Sequence, residues 1–223
     1  MEKDKNAQLS ASDKIAGFLQ KYRIAFLVFI VLIAAGIAGT TVFFIVRDVL
    51  EKKAIAAVEV FEQRKNNLGH IEDTGKSAEA EALLNEINAF SPTTFGYAAA
   101  RSYSLAADIH FSFSEWDKAE ENWVKAAKKA PKIYLAPLSL FNAAVAAEEQ
   151  KKWETSIDYY SQSLEYSGIN PAAARARFNI GRIHETLNDK TKAAEAYRDL
   201  IEKNSNSNWA KLAQSRIIFL ENK

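Results

Sequence analysis

The chain has 223 residues with no cysteine, eight glycines and four prolines, and this scarcity of helix-breaking residues favours an all-α protein over a sandwich or barrel. The absence of cysteine excludes a disulfide scaffold and thiolate metal sites. The formal net charge is +1, so the chain lacks the basic surface that is typical of nucleic-acid-binding proteins.

Residues 1–23 are predicted to form an N-terminal tail that ends in a short amphipathic helix. In this segment the apolar side chains of Ile15, Phe18, Leu19 and Tyr22 fall on one helical face. A helix of this kind rests on a membrane surface with its apolar face in the lipid. The alternative is that the segment is the end of the helix that follows.

Residues 24–46, IAFLVFIVLIAAGIAGTTVFFIV, contain no charged side chain. As a helix this segment would be roughly 34 Å long, enough to cross a hydrocarbon core of about 30 Å. A cleaved signal peptide is the alternative, because Gly36 and Ala38 have the small side chains that a cleavage site requires. Since the apolar run continues beyond them to Val46, we predict a retained transmembrane helix. Lysine and arginine are equally frequent at its two ends, so charge does not predict its orientation.

Residues 47–92 are predicted to form a degenerate first helical hairpin, joined directly to the membrane helix. Apolar side chains such as Val60 and Phe61 recur among charged ones, a polar break follows at residues 68–77, and AEAEALLNEINAFSP then resumes a helical pattern. Glycine and polar residues in such a cluster indicate a loop between helices.

Residues 93–205 contain a repeated spacing that predicts three further hairpins. A small residue is followed four positions later by a large aromatic one, and this pair occurs three times at intervals of 37 residues. A period of this size with two helical stretches per unit indicates a solenoid of stacked helical hairpins. Small residues let two helices approach closely and the aromatic ring fills the space beside them. The predicted packing residues are Ala107, Ala119, Trp123, Ala144, Ser156, Tyr160, Gly181, Ala193 and Tyr197.

Residues 206–223 are predicted to form a final helix that caps the stack. Trp209, Leu212, Ala213 and Ile217 lie on one helical stripe. A terminal unit must cover the open end of such an array.

The segment FNIGRIHETLNDKTKAAEAYRDLIEKNS, residues 178–205, resembles the tetratricopeptide repeat family. Ile180, Gly181, His184, Ala193 and Tyr197 stand at its signature positions. The unit at residues 94–131 resembles the motif as well, whereas the middle unit departs from it. The resemblance implies a module that binds other proteins.

In this family the first helix of each hairpin lines a concave groove. The resemblance therefore implies a partner groove, which we expect to accept an extended or helical segment with apolar anchors and some acidic groups. The alternative is that Phe141 and Phe178 pack against the neighbouring hairpin or the C-terminal helix. The predicted groove residues are Arg101, Ser104, Asp108, Phe111, Leu138, Phe141, Val145, Glu148, Arg175, Phe178, Arg182 and Glu185.

The chain has an amphipathic segment, a single span and a short repeat domain in this order, and this organisation is similar to that of the YfgM family. Members of that family are ancillary subunits of the bacterial SecYEG translocon. This resemblance implies a single-pass inner-membrane protein with a cytoplasmic N-terminus and a periplasmic repeat domain. It would act as an adaptor or chaperone-like subunit of a membrane complex. A structural scaffold in another envelope machine, such as a secretion apparatus or flagellar motor, is the alternative.

The sequence offers no arrangement that favours catalysis. It lacks the glycine-rich motifs that bind phosphates, and its acidic clusters are mixed with lysine at helical spacing, as on solvated faces. We therefore predict a protein without enzyme activity, cofactor, metal, nucleic-acid partner or small-molecule substrate. The predicted partners are other proteins and the membrane.

Overall fold

The computed structural model describes residues 11–68, 78–166 and 168–222, with side chains described from residue 15 onward. Residues 1–10 of the predicted tail and most of the predicted polar break at residues 68–77 lie outside these ranges. All secondary structure in the described ranges is helical, which confirms the all-α prediction. The α-helices are α1 (Ala11–Lys21), α2 (Arg23–Leu68), α3 (Ala78–Phe90), α4 (Gly96–Ser112), α5 (Trp116–Lys129), α6 (Leu135–Glu149), α7 (Trp153–Leu164), α8 (Ala173–Thr186), α9 (Lys190–Lys203) and α10 (Asn208–Glu221), with a 3₁₀ turn at Ser91–Thr93.

The chain divides into two compact units, Met1–Leu50 and Glu51–Lys223. In the first unit, only Tyr22 separates α1 from α2. Its N–H donates to the Phe18 carbonyl, and its own carbonyl accepts from the Phe26 N–H, both at 3.0 Å. Helical hydrogen bonds therefore continue through the residue between the two helices.

The apolar part of α2 has no protein covering in the described structure. The side chains of residues 24–46 are all exposed, and α2 is long and apolar enough to cross a membrane. An exposed apolar surface of this extent is costly in water and favourable in lipid.

The second unit is a stack in which each helix from α3 to α10 packs against the next one along the chain. Contacts between α4 and α6, and between α8 and α10, join alternate helices as well. At the start of this unit, Val58 and Phe61 of α2 share a core cluster with Leu83 and Ile87 of α3 and with Leu105 of α4. The C-terminal half of α2 and α3 therefore share a core with the hairpins that follow.

The nine predicted packing residues are all buried, and each hairpin brings its own members together. Ala107, Ala119 and Trp123 share one core cluster. In the next hairpin the Ser156 hydroxyl donates to the Ala144 carbonyl at 2.9 Å. This hydrogen bond satisfies the buried hydroxyl where the other two hairpins have alanine.

A left-handed residue ends the first helix of each hairpin. Ser114, Lys151 and Asn188 have φ values of 59°, 57° and 59°, and they are spaced by 37 residues. The N–H of the next residue then donates to the carbonyl five positions upstream, at 3.0, 2.9 and 2.8 Å respectively. This is the Schellman arrangement, in which a left-handed residue closes a helix. The backbone of the turn is thus repeated although its side chains differ.

Candidate partner-binding face

The twelve predicted groove residues lie on α4, α6 and α8, the first helices of the three hairpins. Ion pairs and ring contacts link these helices with α2 on one side and α10 on the other. We call the surface formed by these alternate helices the groove face.

Two ion pairs join α2 and α4 at one end of the groove face. The Lys65 ammonium lies 2.8 Å from a carboxylate oxygen of Asp108, and the Arg101 guanidinium pairs with Glu62. Burial alone would lower the pKa of Arg101, but the hydrogen bond and charge of Glu62 raise it above its ordinary value. Arg101 and Asp108 therefore carry charges that are already compensated within the chain.

A polar network joins α6 and α8. The Tyr160 hydroxyl donates to Glu148 at 2.6 Å and accepts a hydrogen bond from the Asn179 amide at 2.7 Å. Arg182 pairs with the second carboxylate oxygen of Glu148. Burial raises the pKa of Tyr160, so its hydroxyl remains a hydrogen-bond donor. Glu148 and Arg182 are thus partners of one another.

A similar network joins α8 and α10, in which the tyrosine–glutamate pair recurs 37 residues later and Arg216 stands at the position equivalent to Asn179. The Tyr197 hydroxyl donates to Glu185 at 2.5 Å, and the Arg216 Nε donates to the same carboxylate oxygen at 2.9 Å. Burial alone would raise the pKa of Glu185, but the hydrogen bonds from Arg216 and Tyr197 and the charge of Arg216 together lower it below its ordinary value. Glu185 is therefore held as a carboxylate.

The junction of α4 and α6 has an apolar contact in place of this network. The positions equivalent to Glu148 and Tyr160 are occupied by Phe111 and Trp123, whose ring centroids are 5.3 Å apart. The Trp123 Nε1 is buried and has no hydrogen-bond partner among the described atoms. Val145 stands where the next hairpin has its pairing arginine. The centre of the groove face is consequently uncharged.

Helix α6 extends this uncharged centre. Its sequence, LAPLSLFNAAVAAEE, has no charged residue before Glu148. Leu138 and Val145 are half-buried and reach the surface. They form the accessible apolar part of the predicted groove.

Three predicted groove residues do not line a free surface. Ser104 and Phe141 are only 4% and 3% exposed, and the Phe141 ring packs 5.1 Å from the ring of Tyr160. The half-buried Phe178 ring lies 5.4 Å from Tyr197 and 5.2 Å from Trp209 of α10. Both phenylalanines therefore pack inside the stack, as the alternative interpretation predicted. Small residues let the neighbouring helices approach closely enough to cover the two rings.

Arg175 differs from the other groove arginines. It is exposed, and its guanidinium carbon lies 5.1 Å from the Phe141 ring centroid and 5.9 Å from that of Trp209. Within residues 15–68, 78–166 and 168–222, no carboxylate lies within ion-pair distance of it. Among the described residues, cation–π contacts with these two rings position its guanidinium.

A cleft of about 730 Å³ lies among α3, α4 and α5, away from the predicted groove. Tyr103, Asn122 and the buried His110 line it, and the His110 Nδ1 lies 2.5 Å from a carboxylate oxygen of Glu115. Its lining combines lysines and glutamates on two helices that are distant in sequence. The periodic pattern could not reveal it, because it depends on the gap between α3 and α5.

Known proteins and families similar to this chain agree with the repeat geometry. A family model described as a tetratricopeptide repeat matches residues 104–167 and 141–208. A protein named TPR repeat-containing protein from Treponema pallidum (strain Nichols) is 37% identical over 156 residues, which are 67% of this chain and 65% of that protein. The match thus spans less than two thirds of the relative's length.

Among solved structures, the TPR domain of Arabidopsis OM64 is similar to this chain with a TM-score of 0.44 and 18% sequence identity, over 53% of this chain and 93% of that domain. The family match, the relative's sequence and the 37-residue repetition of helices, turns and contacts lead to the same conclusion. Residues 104–208 of this chain form tetratricopeptide repeats.

Proposed function

We propose that the chain is a membrane-anchored adaptor whose groove face binds a polypeptide segment of partner proteins. The observation that carries this proposal is the uncharged part of α6 before Glu148, which lies between two sets of ion pairs. Apolar side chains at the centre of an interface commonly dominate binding energy, and polar groups around them exclude water. Leu138 and Val145 have this central position.

The anchor in this proposal is residues 24–46. Their exposed apolar side chains and the length of α2 support a single membrane span. We place the chain in the inner membrane of a bacterium, with its N-terminus in the cytoplasm and its repeats in the periplasm, as a subunit of the protein translocon. The bacterial relative and the similarity to the YfgM family support this placement.

Affinity purification of the full chain in detergent tests the binding surface. We expect the wild-type chain to co-purify with translocon subunits, and Val145→Glu to lose them, because a carboxylate at the apolar centre must be desolvated on binding. The matched control is Ser161→Glu on the exposed surface of α7, which should retain the partners. Retention by Val145→Glu would reject the groove face, and co-purification with a secretion apparatus or flagellar motor would favour the scaffold alternative.

Orientation and anchoring have their own tests. Because the chain has no cysteine, a single cysteine at the exposed Lys128 reports its location with an impermeant maleimide. We expect labelling in intact spheroplasts and retention of the chain in carbonate-washed membranes. Labelling only after lysis would place the repeats in the cytoplasm, and release by carbonate would reject the anchor.

A further inference from the structure

The charged residues of the predicted groove differ in how far they are available to a partner. Arg101, Asp108, Glu148, Arg182 and Glu185 each have a partner of opposite charge within the chain. Arg175 has none in the described ranges and is exposed. The paired charges compensate one another. Arg175 therefore carries the one uncompensated positive charge among these described groove residues, and a partner can form an ion pair with it.

Arg175 is an exposed residue whose guanidinium is held by ring contacts. The guanidinium carbon lies over the rings of Phe141 and Trp209, 5.1 and 5.9 Å from their centroids. The five N–H donors lie in the guanidinium plane and point outward from its edges. A carboxylate can bind two of these donors side by side, which is the strongest arrangement available to arginine.

We propose that Arg175 binds an acidic side chain of the same polypeptide segment whose aliphatic side chain packs on Leu138 and Val145. This inference rests on the proposed function of the groove face and adds the chemistry of the segment. The other two groove arginines, Arg101 and Arg182, do not contribute to acidic recognition because their carboxylate partners already bind them.

The repeat geometry also sets the spacing of the two groups in the partner. Leu138 and Arg175 occupy equivalent positions of α6 and α8, since they are 37 residues apart. Side chains of α6 and α8 meet, since the Arg175 guanidinium lies over the Phe141 ring, and packed helices are about 8–10 Å apart. A polyproline II segment advances about 3.1 Å per residue with three residues per turn, so its residues three positions apart lie on the same side. An acidic residue three positions from the aliphatic one therefore spans the distance.

Fluorescence anisotropy with designed peptides tests this inference on the full chain in lipid nanodiscs. The probes are labelled twelve-residue peptides of serine and alanine that carry leucine followed three positions later by glutamate, glutamine or lysine. We expect the glutamate peptide to bind about tenfold more tightly than the glutamine peptide, as for a lost charge-assisted hydrogen bond. The lysine peptide should bind most weakly.

Two variants of Arg175 test whether this residue causes the preference for the glutamate peptide over the glutamine peptide. Arg175→Gln should reduce the ratio between the glutamate and glutamine peptides to about one, and Arg175→Lys should give an intermediate ratio, because lysine keeps the charge and loses the paired geometry. The matched control is Arg198→Gln on α9, which removes an equal charge from an exposed ion pair with Glu221. It should leave the ratio unchanged.

The outcomes separate this inference from the function on which it rests. Equal binding of the glutamate and glutamine peptides to the wild-type chain overturns the role of Arg175 while the groove stands. An equal loss of preference in Arg198→Gln overturns it as well. Failure of every leucine peptide to bind, or unchanged binding to Val145→Glu, rejects the groove face itself and with it the inference.

Discussion

A β-carbon on Gly181 would lie 2.5 Å from Cε1 of Tyr197. The glycine is on the first helix of the last hairpin and the tyrosine is on the second, so this contact fixes the separation of α8 and α9. Helix formation alone would favour almost any other residue over glycine at this position. The close approach of a buried ring therefore accounts for the glycine.

We expect Gly181→Leu to lower the free energy of unfolding by about 1–3 kcal/mol, because the added side chain forces Tyr197 out of its packed position. Thermal unfolding of the full chain in detergent, followed by tryptophan fluorescence, measures the change. All four tryptophans lie between residues 116 and 209, in the repeats and in α10, so the signal reports on the stack. The control is Ser215→Leu at an exposed position of α10, which should unfold like the wild type. An unchanged midpoint for Gly181→Leu would contradict the packing.

Tyr160→Phe should destabilise the stack although the ring is retained. The change removes the hydroxyl that donates to Glu148 and accepts from Asn179, so the buried Asn179 and the half-buried Glu148 each lose a partner. We expect a loss of about 1–2 kcal/mol in the free energy of unfolding by chemical denaturation. Tyr166→Phe, outside both tyrosine networks, is the control. Equal stabilities of the two variants would show that the network contributes nothing.

Lys151→Gly should stabilise the chain. Lys151 adopts a left-handed backbone at φ 57°, which costs an ordinary residue about 1–2 kcal/mol and costs glycine little. The greater freedom of glycine in the unfolded chain offsets part of this gain, so we expect a net rise of about 0.5–1 kcal/mol in the free energy of unfolding. Lys190→Gly, inside the first turn of α9, should lower the free energy of unfolding. A loss of stability in Lys151→Gly would refute the strain at this turn.

Glu185 should make the chain sensitive to acid. Its pKa is lower in the folded protein than its ordinary value of 4.5, so the unfolded chain takes up the proton first as the pH falls. The contribution of Glu185 to stability is complete above that ordinary pKa and is lost as the pH falls through the lower folded value. We expect the difference in melting temperature between wild type and Glu185→Gln to be constant near neutral pH and to shrink below about pH 4.5. A difference that stays constant to pH 3 would exclude this role.

The periodic pattern predicted most of the fold because it depends on local spacing. The small and aromatic positions, such as Ala119 and Trp123, recur at a fixed interval and are buried as the packing argument requires. The left-handed turns could not be read in this way, since Ser114, Lys151 and Asn188 have little side-chain chemistry in common.

The groove face was less accessible to sequence reasoning. Spacing along one helix placed Phe141 on the predicted face, but its burial depends on Tyr160 and on the cover provided by Arg175 from the next helix. Whether an arginine of the face forms an ion pair within the chain likewise depends on a residue from another helix, as Arg182 depends on Glu148. Contacts between side chains of different helices depend on the tertiary structure, and the residue spacing along one helix does not predict them.

The groove face as a binding surface is the central claim, and photo-crosslinking in living cells tests it most directly. A photoreactive amino acid at Leu138, at the uncharged centre of the face, is compared with the same group at the exposed Glu195 of α9. We predict a discrete crosslinked partner from Leu138 that is absent from Glu195 and is lost when Val145→Glu is added. Crosslinks from Glu195 or from residues 24–46 with none from Leu138 would contradict the claim and move the binding surface elsewhere.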